Sequence, residues 1–215
     1  MTIVILALRG FAAIIVLTTL VGGIPRVVQA ALSITLGLWS GLLLAPTHAI
    51  EPSLPAAIHE LAIGAALGVL AAVPLLAASA AGRLVDIAAT GRAQGSYSIF
   101  FGVLAAAVFV GIDGHVAVIT AIVDSHDSTR SIVAAEPRVL GAIAQLVPAA
   151  IRLAIPWLVT AAVVHIAVGV GMRLAARAGV HVPAAAAVPA ALVMMSASLV
   201  AMLAIAMAAI MRGAL

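Results

Sequence analysis

The residues of this chain that could do chemistry are few, and most stand at the wrong spacing to do it. His59-Glu60 opens like the helix of a zinc protease, but the second histidine of that motif would have to stand at residue 63, which is Ile63. Gly169-Val170-Gly171 begins a dinucleotide fingerprint whose third glycine would fall on Leu174. Lysine is absent, so no P-loop exists. Ser125-His126-Asp127 names the three residues of a hydrolytic triad, but consecutive residues cannot adopt the relay geometry. The expectation there is a solvated loop. Asp124, His126 and Asp127 are metal-ligating types with nothing to distinguish them from an ordinary polar loop, so no metal and no cofactor are expected. His165 lies inside an apolar run, but no serine motif matches it, and a polar packing contact is expected in place of a hydrolase. The chain is not expected to be an enzyme.

Two polar groups lie deeper in the apolar sequence. Asp113 and His115 flank Gly114 near the middle of a long apolar stretch. Ionisable groups at membrane depth are functional candidates by default, and a proton relay is one reading. A polar turn at the tip of a helical hairpin is the other, and the intervening glycine favours it. Glu60 stands four residues before Gly64 and eight before Gly68, so the three share one helix face. A carboxylate on a face of small residues suggests a packing or partner contact. A helix-start charge favoured by the macrodipole is the plainer account. Gly37 and Gly41 form a second pair of small residues at the same spacing. In lipid, helices associate through such close backbone approach, although an alanine-rich, arginine-rich composition would produce similar pairs.

The elements that must position these residues are dictated by composition. Of 215 residues, 66% are hydrophobic and 8% charged, with a mean hydropathy of +1.34. Soluble domains carry about 25% charged residues, so this chain cannot cover a surface in water. All ten basic residues are Arg, spread singly, which excludes a nucleic-acid stripe despite a net charge of +3. Cysteine is absent, and disulfides and thiolate chemistry go with it. Residues 1–24 imitate a signal peptide, but a charged start is missing and Arg9 interrupts the apolar run, so cleavage is not expected.

Six apolar stretches are legible: Thr2–Ile24, Val27–Ala45, Ala56–Ala81 with Pro74 inside, Ile99–Val123, Gly141–Gly171, and Val182–Met211. Arg83, Asp86 and Arg92 read as a polar connector, and 124–138 as the most polar loop. A spanning helix needs about 20 apolar residues. Gly141–Gly171 is too long for one upright pass. Arg152 is expected to split it, leaving Leu153–Gly171 as the span and a shorter interfacial helix before it. By the positive-inside rule, Arg26, Arg83, Arg92, Arg173 and Arg177 would face the cytoplasm, with both termini outside. The expected fold is all-α: a polytopic membrane protein of about six apolar helical segments, several bent or hairpin-like, forming one membrane-integrated domain over residues 1–215.

The order of these features resembles the FliR/SctT family of export-gate subunits from bacterial flagella and type III secretion systems. His59-Glu60-Leu61-Ala62-Ile63-Gly64-Ala65-Ala66-Leu67-Gly68 is similar to that family's RE-x-x-IG-x-x-LG helix. Arg9, Pro25-Arg26 and Pro46 follow its opening. Ala81-Gly82-Arg83-Leu84-Val85-Asp86-Ile87 resembles its AG connector. Phe109 to His115, with Ser125 beyond, resembles its F-x-x-x-x-GH…S stretch, and Ile151-Arg152-Leu153-Ala154-Ile155-Pro156 its LRLALP turn, with a helix break at Pro156. Gly169, Arg173 and Val182-Pro183 follow its last motif.

The resemblance implies a structural subunit of an export gate in the bacterial inner membrane. It would assemble with SctR/FliP-like and SctS/FliQ-like subunits into a pore, with an SctU/FlhB-like protein docked against it and unfolded secreted proteins in transit. No nucleic acid is implied. A self-contained small-molecule or ion transporter is the competing reading, but it would call for an internal repeat that the chain lacks. Family members carry a longer loop after the AG connector, which contributes a plug. Here only Arg92, Ala93, Gln94, Gly95, Ser96, Tyr97 and Ser98 separate the connector from the next apolar run, so either the plug is reduced to this segment or closure comes from partner subunits.

Overall fold

The computed structural model describes residues 2–46, 52–91, 95–127, 132–179 and 184–214. Among them the regular elements are all α-helices: α1 Thr2–Val21, α2 Arg26–Leu44, α3 Leu54–Thr90, α4 Ser96–Gly111, α5 Gly114–Asp127, α6 Ile132–Arg177 and α7 Ala184–Ala214. Lipid offers no partner to a bare N–H or C=O, and a helix satisfies both within itself, so apolar sequence of this length is helical by necessity. Thr2–Val21, Arg26–Leu44, Leu54–Ala89 and Pro137–Arg177 are long and apolar enough to span, and the bent pair α4–α5 makes a fifth candidate. The chain is a polytopic all-α membrane protein. It divides into two compact units, 1–76 with 109–146 and 211–215, and 77–108 with 147–210.

In the first unit α1 and α2 form an antiparallel hairpin. Gly22 and Gly23, both at positive φ (72° and 77°), end α1 in the left-handed conformation that glycine adopts without steric cost. Pro25 follows with φ −57° and ψ 138° and starts α2. The two helices then meet through small residues. A Cβ on Gly37 would stand 2.9 Å from the Ala7 carbonyl oxygen, and one on Gly10 would stand 2.6 Å from Ser40 Oγ. Gly41 is as tightly placed over Ile3 and Ala7. The face of α2 turned away carries Val27, Leu38, Trp39 and Leu42, all exposed. On α3, Gly64 and Gly68 bear on the backbone carbonyls of Arg9 and Ala13. Both glycine pairs singled out in the sequence therefore pack on α1 of the same chain.

Three boundaries depart from the sequence reading. The connector expected over Arg83–Arg92 is helical as far as Thr90, and the turn falls at Gly91, φ 72°. Charge did not end the helix because Arg83 points outward while Asp86 is buried against a partner. The split expected at Arg152 is absent, because α6 runs unbroken for 46 residues through both Arg152 and Pro156. Arg152 is exposed and leaves the backbone undisturbed. Pro156 has no N–H to give the Arg152 carbonyl, the one helix bond lost there. A spanning helix tolerates proline when nearby side chains and helices meet the freed groups. Finally, α5 extends to Asp127, so Ser125 and His126 lie on a helix and not in the solvated loop expected there.

The long apolar stretch is broken at Asp113–Gly114, where α4 and α5 meet in a bend of 63°, a broken span or a re-entrant loop. Asp113 has φ 57°, a left-handed conformation that aspartate tolerates better than most residues. Its N–H donates to the Val110 carbonyl at 3.1 Å, and its own carbonyl accepts from Ala117 N–H at 3.0 Å, so one residue closes α4 and opens α5. Gly114 is required because a Cβ there would lie 2.6 Å from the Phe109 ring.

The glycines give a direct test of close packing. Gly64→Ala drives a methyl into the Arg9 carbonyl, and overpacking of this kind costs about 1–3 kcal/mol. Gly102 has nothing within 4 Å of the Cβ position. Gly102→Ala is expected to be neutral or stabilising by up to about 1 kcal/mol through helix propensity. Unfolding in detergent should separate the two variants in that order, and equal stability would contradict the α1–α3 contact.

Candidate functional site

Two buried polar clusters stand out in an otherwise oily chain. The first lies in the unit built on α1 and is centred on Arg9, 5% exposed, and Glu60, 4% exposed. Arg9 comes from the middle of α1, and Glu60 from the first turns of α3, where the Gly64–Gly68 face has brought the backbones together. The pair is bidentate: Arg9 Nε donates to Glu60 Oε2 at 2.7 Å, and Nη2 to Oε1 at 2.8 Å. Arg9 Nη1 donates to Ser125 Oγ at 2.9 Å, which binds α5 into the same cluster. Ser125 in turn donates to the Ile122 carbonyl at 2.7 Å.

His126 completes the set. Its Nδ1 lies 2.9 Å from the Ile122 carbonyl, which can only accept, so Nδ1 carries a hydrogen there. Its Nε2 stands 3.6 Å from Glu60 Oε2, beyond a hydrogen bond but close enough that a proton on Nε2 would create an ion pair. Ser125 Oγ and His126 Nδ1 thus share the Ile122 carbonyl as acceptor. The arrangement holds α1, α3 and α5 together. A charge-assisted fork of this type is among the strongest polar contacts available, and it offsets the cost of burying both ions.

The second cluster lies in the other unit, where α4 begins. Asp86 on α3 is fully buried. Its carboxylate accepts the N–H of Tyr97 at 3.1 Å and of Ser98 at 2.8 Å. These are orphan donors of a helix start, and an acid from a neighbouring helix satisfies them as a local cap would. Ser98 Oγ donates to the Gly95 carbonyl at 2.9 Å. A Cβ on Gly95 would strike Asp86 Oδ1 at 2.5 Å, and one on Gly82 would come 2.7 Å from Ser98 Cα, so glycine is required at both. Behind this start the rings of Tyr97, Phe100 and Phe101 gather round Trp157 of α6 at centroid distances of 5.5, 6.0 and 5.4 Å. Trp157 is 3% exposed, and its Nε1 has no hydrogen-bond partner among the described residues. Beside the cluster an open cavity of about 480 Å³ is lined by Ser79, Arg83, Gly95, Ser96, Ser98 and Ile99.

The sequence candidates distribute as follows. Glu60, Gly64 and Gly68 converge on α1 around Arg9, and Gly37 and Gly41 pack on α1 from α2. Gly95, Ser96 and Tyr97 form the tethered start of α4, while Arg92 and Gln94 lie outside the described residues. Asp113 and His115 are exposed at the bend, with Gly114 buried between them. Pro156 is inside α6 and does not end it. Sequence reasoning missed Ser125 and His126 as buried groups, and Asp86 and Trp157 as anchors. A signal existed for two of them. Val118, Ile122 and Ser125 continue one buried stripe at helical spacing, and Asp86 falls on the stripe of Ala78, Ala81 and Val85.

A family model described as Bacterial export proteins, family 1, matches residues 1–214. A comparison with curated proteins gave no match.

Both clusters predict distinct mutational signatures. Glu60→Gln leaves the Arg9 charge buried without a counter-ion and is expected to cost about 3–5 kcal/mol. Replacing both Arg9 and Glu60 by leucine should cost less than the single change, and unfolding in detergent measures both. Asp86→Ala removes two N–H acceptors and should cost about 1–2 kcal/mol, with Asp86→Asn milder because one acceptor oxygen remains. A single Glu60 variant no worse than the double would show that the pair is not the lock described.

Proposed function

This chain belongs to the FliR/SctT family of bacterial export proteins, and from that membership we propose that it is a structural subunit of the protein-export gate of a flagellar or type III secretion system. It would sit in the bacterial inner membrane and form one sector of a pore for unfolded secreted proteins, in company with SctR/FliP-like, SctS/FliQ-like and SctU/FlhB-like subunits. The family match from end to end of the chain carries this reading.

The physical features support a steric role and not a catalytic one. The polar groups of the first cluster are bonded to one another, and the contact is spent on fixing α1, α3 and α5. The start of α4, with Gly95, Ser96 and Tyr97, is the candidate constriction. It is tethered by two hydrogen bonds to Asp86 and backed by aromatic rings. A short segment held in this way could close a passage by position alone, without the longer plug of its relatives.

Deletion of the chain in its host is expected to abolish export of the secreted proteins. Purification of the tagged chain in mild detergent should yield several other small membrane proteins of the export system. Asp86→Ala, which frees the start of α4, should make closed gates leak small ions while the assembly still forms. A chain that purified alone as a stable monomer and moved solute in liposomes by itself would favour the transporter reading and overturn this one.

A further inference from the structure

Two helices hold the start of α4. From α3, the Asp86 carboxylate accepts the N–H groups of Tyr97 and Ser98. Those donors are neighbours in one turn, so a single carboxylate fixes where the helix begins and leaves its direction free to swing. The second contact comes from α6. Trp157 meets the rings of Tyr97, Phe100 and Phe101 at interplanar angles of 69°, 50° and 68°.

Spacing makes this a single contact and not three coincidences. Residues 97, 100 and 101 stand at i, i+3 and i+4, so their rings share one face of α4. The far face carries Ile99 and Val103, both exposed. On α6, Trp157 continues the buried stripe of Ala150, Leu153 and Ala154 towards Ala161 and Val164, and it is the aromatic member of that stripe. The whole chain has two Trp, one Tyr and four Phe. Both types of large ring and two of the Phe gather at this point, in a chain otherwise almost without aromatics.

What Trp157 contributes there is its ring. The indole Nε1 is buried and has no hydrogen-bond partner among the described residues. A buried donor without an acceptor costs free energy and fixes nothing. The ring contacts, by contrast, are edge-on or tilted, at separations within the favourable range for aromatic pairs. Phenylalanine at 157 would keep such a ring and remove the orphan donor. Leucine would keep bulk without a ring.

We propose that Trp157 is the positioning residue for the candidate constriction: through its ring contacts it fixes the direction in which α4 leaves Asp86, so that the closed position depends on α6 as well as on α3. The bearing of this anchor on export rests on the reading of the start of α4 as the constriction; the anchor itself does not.

Hydrogen exchange followed by mass spectrometry, on the full tagged chain purified in mild detergent, reads the anchor at the amides of Tyr97 and Ser98. In Trp157→Ala and Trp157→Leu these amides should exchange at least about tenfold faster than in the parent, while in Trp157→Phe they should match it. Exchange over residues 60–70 of α3 should be the same in all four chains, which separates a loosened α4 from general unfolding. Exchange in Trp157→Leu as slow as in the parent, exchange in Trp157→Phe as fast as in Trp157→Leu, or faster exchange over 60–70 as well would each overturn the inference. The comparison of phenylalanine with leucine carries the test, so it stands even where Trp157→Ala fails to fold. Ion leak through closed gates in host membranes then tests the reading beneath it: Trp157→Leu should leak as Asp86→Ala does. Amides loosened without a leak would leave the anchor standing and show that the start of α4 is not the constriction.

Discussion

Everything in this fold follows from a solvent that gives helices no reason to meet. Lipid tails are as apolar as leucine, so burying an aliphatic face against another helix gains little, and association must come from close contact and polar bonds. Gly37 and Gly41 on one side of α1, and Gly64 and Gly68 on another, let three backbones approach until carbonyl oxygens sit where a Cβ would be. Only because of that approach does Glu60 reach Arg9. The ion pair is therefore downstream of the glycines, although it is energetically the most demanding contact in the unit.

Burying two charges normally gives back in desolvation what it gains in attraction. Here the geometry is of the favourable kind. Both guanidinium-to-carboxylate bonds are short, and the third arm of Arg9 is taken by Ser125. The result is specificity more than stability. A hydrophobic stripe on α1 could slide along α3 by a turn at little cost, but a fork that fits one carboxylate cannot. Asp86 does comparable work in the other unit, where it fixes the start of α4 by accepting the N–H groups of Tyr97 and Ser98. Polar groups in this chain are few, and the ones best defined by geometry set register.

Much of this was legible in the sequence. The lipid environment, the helical class and the small-residue faces all follow from composition and spacing, and the bend at Asp113-Gly114 was marked by two polar residues around a glycine inside an apolar run. What misled was charge read as punctuation. Arg83, Asp86 and Arg152 look like ends of helices because charges usually lie in water, yet α3 and α6 pass through all three. Periodicity resolves such cases when charge does not: Asp86 keeps the phase of the buried stripe before it, whereas Arg83 and Arg152 fall on the opposite side. Ser125 and His126 were hidden for another reason. Their burial depends on Arg9, which is 116 residues away from Ser125 in sequence. No local pattern carries that information.

The two sides of these helices divide the amino-acid alphabet between them. Inward positions mix Gly, Ala and Ser, where backbones meet, with large residues such as Leu6, Phe101, Trp157 and Met207 and with the paired charges. Outward positions are Val, Ile and Leu, with Trp39 59% exposed on α2. A protein that lived alone in lipid would need outward faces only as long as the hydrocarbon is thick. At 37 and 46 residues, α3 and α6 each hold more helix than the roughly 20 residues that cross about 30 Å of lipid tails. Apolar side chains beyond that layer are stable only under other protein. Helices of excess length are therefore a reason to assemble that is written into the chain itself, and a subunit of a multi-protein membrane apparatus is where such a reason is met.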